Sequence, residues 1–345
     1  MNVRFPDATT VRTILTLASR APSVHNTQPW RWRVDEAALH LYSDAGRQLP
    51  NTDPEGRDLI LSCGAALNHC VIAFAAHGWR AKVTRFPDRA DPSHLASIGL
   101  AGCNADSLDI ALAAAIPRRR TDRRHYSSWA VPVGDIALMA ARAARIGVTL
   151  CQVDDIDKLH KIVSQSIWGH MTHDYLVELT EWSGRYASVA GVPARNVPAS
   201  DPRAKIPGRL FAGPALPMPP GSSAAEDNAV VLALGTKTDD RLAQLRAGEA
   251  TSVVLLTATS MGLASCPVTE PLEIAETREA VRSDIFGAGN HPQMLLRVGW
   301  AAINADPLPA TPRRELSEVV DWTTDPMHNA DDEIPPHLTG DYWRR

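Results

Sequence analysis

The chain has 345 residues, 44% hydrophobic and 21% charged, with 35 basic against 39 acidic side chains and a formal net charge of −4. That length suits about two domains of ordinary size, and the balance excludes a disordered chain, a collagen and a mini-protein held by disulfides. The strongly basic surface of a general nucleic-acid binder is also missing. In chain order, Val11–Arg20 reads as a short amphipathic helix with Ile14, Leu15 and Leu17 inward. Arg31–Val34 and Ala38–Tyr42 read as two strands around a turn at Asp35-Glu36, with Trp30 and Trp32 on one buried face. Arg57–His77 is a long helix with Leu59, Cys63, Leu67, Cys70, Val71 and Phe74 on one face, and Gly78 stops it. Arg80–Phe86 and His94–Ala101 are strands, and Ser107–Ala115 is a helix closed by Pro117.

A second series follows. Val133–Arg145 is a helix, Val148–Val153 a strand, and Asp155–Trp168 and His173–Trp182 are helices. A loose stretch precedes a long helix over Leu242–Met261. Strand, helix and strand follow over Leu263–Val268, Ile274–Ser283 and Leu295–Trp300. Each series runs helix, strand, long helix, strand, which suggests a duplicated α+β unit. Residues 1–105 are the expected first half and 106–345 the second. Within the second, Val192–Pro220 holds eight prolines, which excludes long helix. A loop of this length is usually functional or disordered. Residues 183–225 therefore read as a lid or as a plain insertion.

Five cysteines, odd in number and without a CxxC pair, argue against a disulfide framework or a Cys-rich zinc site. The N-terminal residues show no signal-type apolar core. The most apolar run, Val253–Ala264, is too short and too rich in Thr and Ser to cross a bilayer. A soluble, cytoplasmic protein without a membrane partner is expected. His170 and His173 could pair as ligands at i and i+3, but a solvated or half-buried helix surface is the favoured reading. No GxGxxG, P-loop, HExxH or GxSxG is present.

Three segments carry chemistry. The first is Pro22-Ser23-Val24-His25-Asn26-Thr27-Gln28-Pro29-Trp30, a polar cluster between helix and strand. The amides of Asn26 and Gln28 each offer a donor and an acceptor, matching a heterocycle with alternating carbonyl and N–H edges. A turn that satisfies its own backbone accounts for them equally. The second segment, Arg118 to Arg124, has five arginines in seven positions. It could grip a phosphate or serve as a basic helix end. The third, Pro312-Arg313-Arg314, offers the same two readings.

Together, Arg119-Arg120-Thr121-Asp122-Arg123, PSVHNTQPW at 22–30, MGLASCPVTE at 261–270 and PRRELSEVV at 312–320 resemble the FMN-dependent nitroreductase superfamily. The order is rearranged, with the QPW segment ahead of the Arg segment. This resembles the Acg-type nitroreductase-like proteins, which look like two interlocking nitroreductase units fused into one chain. The resemblance covers nearly the whole chain. It implies a nitroreductase-like α+β fold of two fused units, one composite FMN site and a monomeric pseudo-dimer.

By position, the resemblance assigns Arg119, Arg120 and Arg313 to the FMN phosphate, with Arg314 as a neighbour. Thr121 stands where the family has Ser, and Arg123 would meet the ribityl chain or the pyrimidine edge. Pro22, Ser23, Val24, His25, Asn26, Thr27, Gln28 and Pro29 would line the ring from the first half. Pro267, Val268, Thr269 and Glu270 would lie over it near N5. Ordinary members often carry Pro-x-Glu-Gly there; here Thr269 and Glu270 replace the last two residues, which changes the backbone's approach to the ring. The implied activity is hydride transfer from NAD(P)H through FMN to a small acceptor such as a nitroaromatic or quinone, with no acid–base residue assigned. The alternative is an FMN store with a covered flavin. A degenerate, empty site is the third reading.

Overall fold

The computed structural model describes residues 5–184, 188–287 and 289–323. Residues 1–4, 185–187, 288 and 324–345, which fall within the expected halves and the Pro-rich stretch, lie outside the described residues. The first unit runs α1 (Ala8–Ala18), β1 (Trp30–Val34), β2 (Ala38–Ser43), α2 (Arg57–Ala76), β3 (Trp79–Arg85), β4 (His94–Gly102) and α3 (Ser107–Ala115). The chain continues through α4 (Val133–Ala144), β5 (Thr149–Gln152), α5 (Ile156–Gly169), α6 (His173–Glu181), β6 (Val230–Thr236) and α7 (Arg241–Ser260). It ends with β7 (Ala264–Val268), α8 (Glu270–Glu273), α9 (Ala275–Val281), β8 (His291–Gly299), α10 (Leu316–Val319) and β9 (Val320–Trp322). Aspartates start many of these helices. Asp7, Asp106, Asp155 and Asp240 each accept a hydrogen bond from a backbone N–H of the first turn, at 2.7–2.9 Å.

The duplication is explicit in the sheets. One has the order β3-β4-β2-β1-β9 and the other β7-β8-β6-β5. Matching β1, β2, β3 and β4 to β5, β6, β7 and β8 superposes the two orders, and all corresponding neighbours are antiparallel. Two α+β units of one plan are therefore fused in this chain. They differ in one connection. β1 and β2 are joined by a tight turn whose Asp35 carboxylate accepts from the N–H groups of Ala37 and Ala38. Between β5 and β6 the chain instead inserts α5, α6 and the Pro-rich stretch. The C-terminal strand β9 returns to the first unit and pairs parallel to β1, Trp32 opposite Val320.

Two expectations need correction. The stretch before Leu242 is not wholly loose, because β6 occupies Val230–Thr236 as a central strand buried along most of its length. A continuous apolar run has no period-2 alternation to announce it. The helix that comes nearest to a membrane span is α2, not the run from Val253. Among the described residues it alone is long and apolar enough to cross a membrane, with mean hydropathy 1.9, and 83% of that window is buried in the fold.

α2 and α7 are both buried almost all round and pack on each other at the centre. Gly64 and Gly248 make this crossing possible. A Cβ on Gly64 would lie 2.1 Å from the Leu245 carbonyl oxygen, and one on Gly248 would lie 2.0 Å from that of Leu61. The contact is reciprocal between the two units. Polar contacts continue it, with Ser252 Oγ 2.8 Å from both His69 Nδ1 and Asn68 Oδ1. The Arg85 fork meets the buried Glu249 carboxylate at 2.7 Å on both arms. Both methyl clashes are with backbone and cannot relax by a rotamer change. Gly64→Ala or Gly248→Ala should therefore cost about 3 kcal/mol or more in chemical denaturation. Gly99→Ala, with nothing within 4 Å of the added methyl, should be near neutral.

Candidate functional site

A cleft of about 1380 Å³, counting the space open to solvent, lies where the units meet. Its floor is the α2–α7 crossing, through Asp58, Leu61, Ser62, Ala65, Gly248 and Thr251. Pro22–His25 of the first unit and Thr121, Arg123 and Pro267–Glu270 of the second line its walls. The Pro-rich stretch supplies a further wall through Val197–Asp201, Ile206–Arg209, Phe211 and Met218. Three segments far apart in sequence are thus brought together.

Asn26, Thr27, Gln28 and Pro29 do not line this cleft. The Asn26 amide donates to the carbonyls of Gly191 (3.0 Å) and Pro312 (3.2 Å). The Gln28 amide donates to Val189 O at 2.9 Å and accepts from the Arg314 N–H at 2.8 Å. Ser23 Oγ accepts from the Gln28 N–H, and the Val24 N–H donates to Ser62 Oγ. His25, Asn26 and Gln28 all have left-handed backbones, with φ of 44°, 55° and 52°. Such strain persists only where surrounding contacts over-determine it, and these bonds do so. The amides fix the turn, and the turn presents Pro22–His25 to the cleft.

The basic residues form a pocket of their own. Arg20, Arg119, Arg120 and Arg313 surround it with Ile116 and Thr311. Arg119 is buried, and its Nε and Nη1 have no partner among the described residues. Burial, then the neighbouring Arg120 and Arg20, lower its pKa to about 10. Arg313 is lowered to about 9 by burial and by Arg119 and Arg20. Its guanidinium is already occupied by Asn26 Oδ1 (3.0 Å) and by the carbonyls of Ser19, Arg20 and Ala21 at the end of α1. Arg313 therefore gives the pocket shape and charge, while Arg119 and Arg120 keep unpartnered donors. Arg314 turns away, towards Gln28, Asp44 and Glu318. Clustered cations without carboxylates are what a bound anion would relieve.

Sequence reasoning missed several residues here. Arg20 is separated from the Arg118 cluster by about a hundred residues, so no local pattern could include it. Arg209 lies in the Pro-rich stretch with no motif around it. It is ion-paired with buried Glu273 and also donates to the Tyr175 hydroxyl (2.8 Å) and to Thr269 Oγ1 (3.2 Å). Thr269 in turn donates to Glu273 at 2.7 Å. His170 is not on a solvated surface: it is buried, stacked on Tyr175 and 3.5 Å from Glu273. Together these contacts lock the Pro-rich wall to α8. Glu178 does the same for α6, taking the backbone N–H groups of Asn51 and Thr52 at 2.9 and 2.8 Å.

Glu270 is buried at the cleft wall, and burial pushes its pKa from an ordinary 4.5 up to about 7, against the opposing pull of Arg209. As pH rises between those values, the unfolded chain releases this proton first, so the folded state loses stability until about 7 and no further. Glu270→Gln should therefore raise the melting temperature at about pH 8 and give no gain at about pH 4.

The fold and the site can now be set beside known proteins. A Mycobacterium tuberculosis (strain ATCC 25618 / H37Rv) protein named "Putative NAD(P)H nitroreductase Rv3131" is 68% identical over 323 residues, 93% of this chain and 94% of that one. "Putative NAD(P)H nitroreductase acg" of the same strain is 35% identical over 320 residues, covering 90% and 94%. Among solved structures, a nitroreductase with bound FMN from Desulfitobacterium hafniense DCB-2 gives a TM-score of 0.39 at 15% identity, covering 62% of this chain and 98% of that one. One with bound FMN from Bacteroides fragilis NCTC 9343 gives 0.37 at 15%, covering 56% and 90%. No family model matches the chain. At 68% identity across 93% of its length, the chain belongs to the family of Acg-type NAD(P)H nitroreductases.

Proposed function

We propose that this chain is an FMN-dependent oxidoreductase that takes hydride from NAD(P)H and passes it to a small acceptor of nitroaromatic or quinone type. The observation that carries this is the pairing of a cleft between the units with a nearby pocket of unneutralised arginines. A planar heterocycle with a phosphate arm fits both. Arg119 has buried donors in want of an anion, and the walls Pro22–Val24 and Pro267–Val268 offer apolar faces to a ring.

When bound, FMN would supply hydride acceptance and release; the protein supplies binding, orientation and electrostatics. In this reading Arg119 and Arg120 hold the phosphate, with Arg20 beside them and Arg313 as the charged backing. Thr121 and Arg123 continue from that pocket into the cleft. Arg123 has no carboxylate partner among the described residues, and its guanidinium lies 4.9 Å over the Phe211 ring. It places fixed positive charge where a flavin's electron-rich edge would lie. Asn26 and Gln28 act through the turn they hold. One chain supplies both walls, so a monomer is sufficient for a complete site.

The second reading is an FMN store with little turnover. The observation favouring it is the Pro-rich wall, anchored through the buried Arg209–Glu273 pair. An anaerobic spectrum of the purified protein separates the two. Rapid bleaching of the visible flavin band by NADPH or NADH supports the oxidoreductase. A band that only dithionite bleaches supports storage, and no band after FMN is supplied overturns both. Arg119→Met should weaken FMN retention at least tenfold, as expected for a lost charge-assisted bond of about 1.5–3 kcal/mol. Arg314→Met, outside the pocket, should leave retention within about twofold.

A further inference from the structure

We propose that His25 is the acceptor-binding residue, its ring N–H donating a hydrogen bond to a carbonyl or nitro oxygen of a flat aromatic acceptor. This inference rests on the oxidoreductase reading and adds to it the substrate contact that sets specificity. The imidazole lines the cleft and is buried, yet neither ring nitrogen has a partner among the described residues. Two orphaned polar atoms in one buried ring are unusual, because a buried polar group without a partner costs free energy. The arrangement is also held in place at some expense. His25 sits at φ 44° in a turn pinned by Asn26, Gln28, Ser23 and Arg313. A side chain held in a strained conformation on a cleft wall, with both ring nitrogens unpaired, is placed to meet a ligand.

The surroundings decide which part of the ligand it meets. The edge of the His25 ring packs on Phe211 of the Pro-rich wall, with centroids 5.6 Å apart and planes at 70°. Its charged neighbours are Arg209 and Arg123, and burial together with those cations keeps the imidazole well below its usual pKa and therefore neutral. A neutral imidazole has one donor and one acceptor nitrogen. It can hold an oxygen without carrying a charge into the cleft. The phosphate-bearing part of a cofactor has the arginine pocket, and Arg123, over the same Phe211 ring as His25, offers its charge to an electron-rich edge. The uncharged His25 remains for the second occupant, in the part of the cleft lined by Phe211.

The test compares two ligands of equal shape. Duroquinone and durene share four methyl groups on one six-membered ring, and only the quinone has carbonyl oxygens. The fully substituted quinone also cannot add the Cys266 thiol, which lines the cleft. Their dissociation constants are measured by calorimetry on oxidised, FMN-loaded full-length protein without NAD(P)H, so that no turnover contributes. His25→Phe keeps an aromatic ring against Phe211 but removes both nitrogens. It should weaken duroquinone roughly tenfold and leave durene within about twofold, as expected for one lost hydrogen bond. His25→Gln, which restores a donor, should recover most of the loss. FMN content and the flavin spectrum should be unchanged in both variants.

Unchanged duroquinone affinity in His25→Phe overturns the proposal, as does equal weakening of both ligands, which would mark a role in shape alone. Loss of FMN or a shifted flavin spectrum with an unaltered duroquinone-to-durene ratio would place His25 against the cofactor and also overturn it. If the parent protein binds no FMN, the oxidoreductase reading fails separately, and the ratio measured on that protein still decides the role of His25.

Discussion

The close crossing of α2 and α7 is the constraint on which the rest of this structure depends. Each helix contributes one glycine, and each glycine faces a carbonyl of the other helix at a distance no side chain tolerates. The crossing places two equivalent long helices back to back, so each sheet packs on the outer side of a shared core. It also creates the cleft floor. Leu61, whose carbonyl meets Gly248, and Gly248 itself both line the cleft. Packing that joins the units and geometry that opens a site between them are thus one feature. A methyl group added there would separate the helices and move both cleft walls.

The walls are held by contacts that cross the units. The strained turn at His25–Gln28 takes its support from Gly191, Val189, Pro312 and Arg314, all supplied by the second part of the chain. Arg313 covers the carbonyls of Ser19, Arg20 and Ala21 just past the end of α1, where a cation is favoured. β9 then pairs with β1 and ties the C-terminal segment to the first sheet. The Pro-rich wall is anchored by Arg209 on Glu273, and α6 by Glu178 on the Asn51–Thr52 backbone. Breaking one partner of such a buried pair costs more than the pair contributes, since the other charge is left unpaired. These anchors explain how a segment with eight prolines can be an ordered wall.

The distribution of buried charge divides the site into two regions of different chemistry. Around Arg119 cations outnumber anions, and burial lowers the pKa of two guanidinium groups. Around Glu270 and Asp58 the reverse pressure holds, and burial raises both carboxyls against the pull of Arg209 on the one and Arg57 on the other. One end therefore favours a dianionic group and the other a neutral ligand. A cofactor with a charged arm and an uncharged ring would satisfy both.

The sequence by itself determined the elements whose physics is local. Alternating Trp30 and Trp32, the periodic face of Arg57–Ala76 and the aspartate caps set strands and helices close to where they occur. The motifs also name residues that the fold gathers, because Pro22–His25, Thr121, Arg123 and Pro267–Glu270 line one cleft. Periodicity could not reveal β6, since a buried central strand has no polar face. Neither could it distinguish an amide that meets a ligand from one that holds a turn. Asn26 and Gln28 became positioning groups only because Gly191, Val189 and Pro312 arrive beside them. Arg20, Arg209 and the glycine pair Gly64–Gly248 carry no local signature at all. Their roles come from partners between about thirty and three hundred residues away, and such pairings are decided by packing in three dimensions.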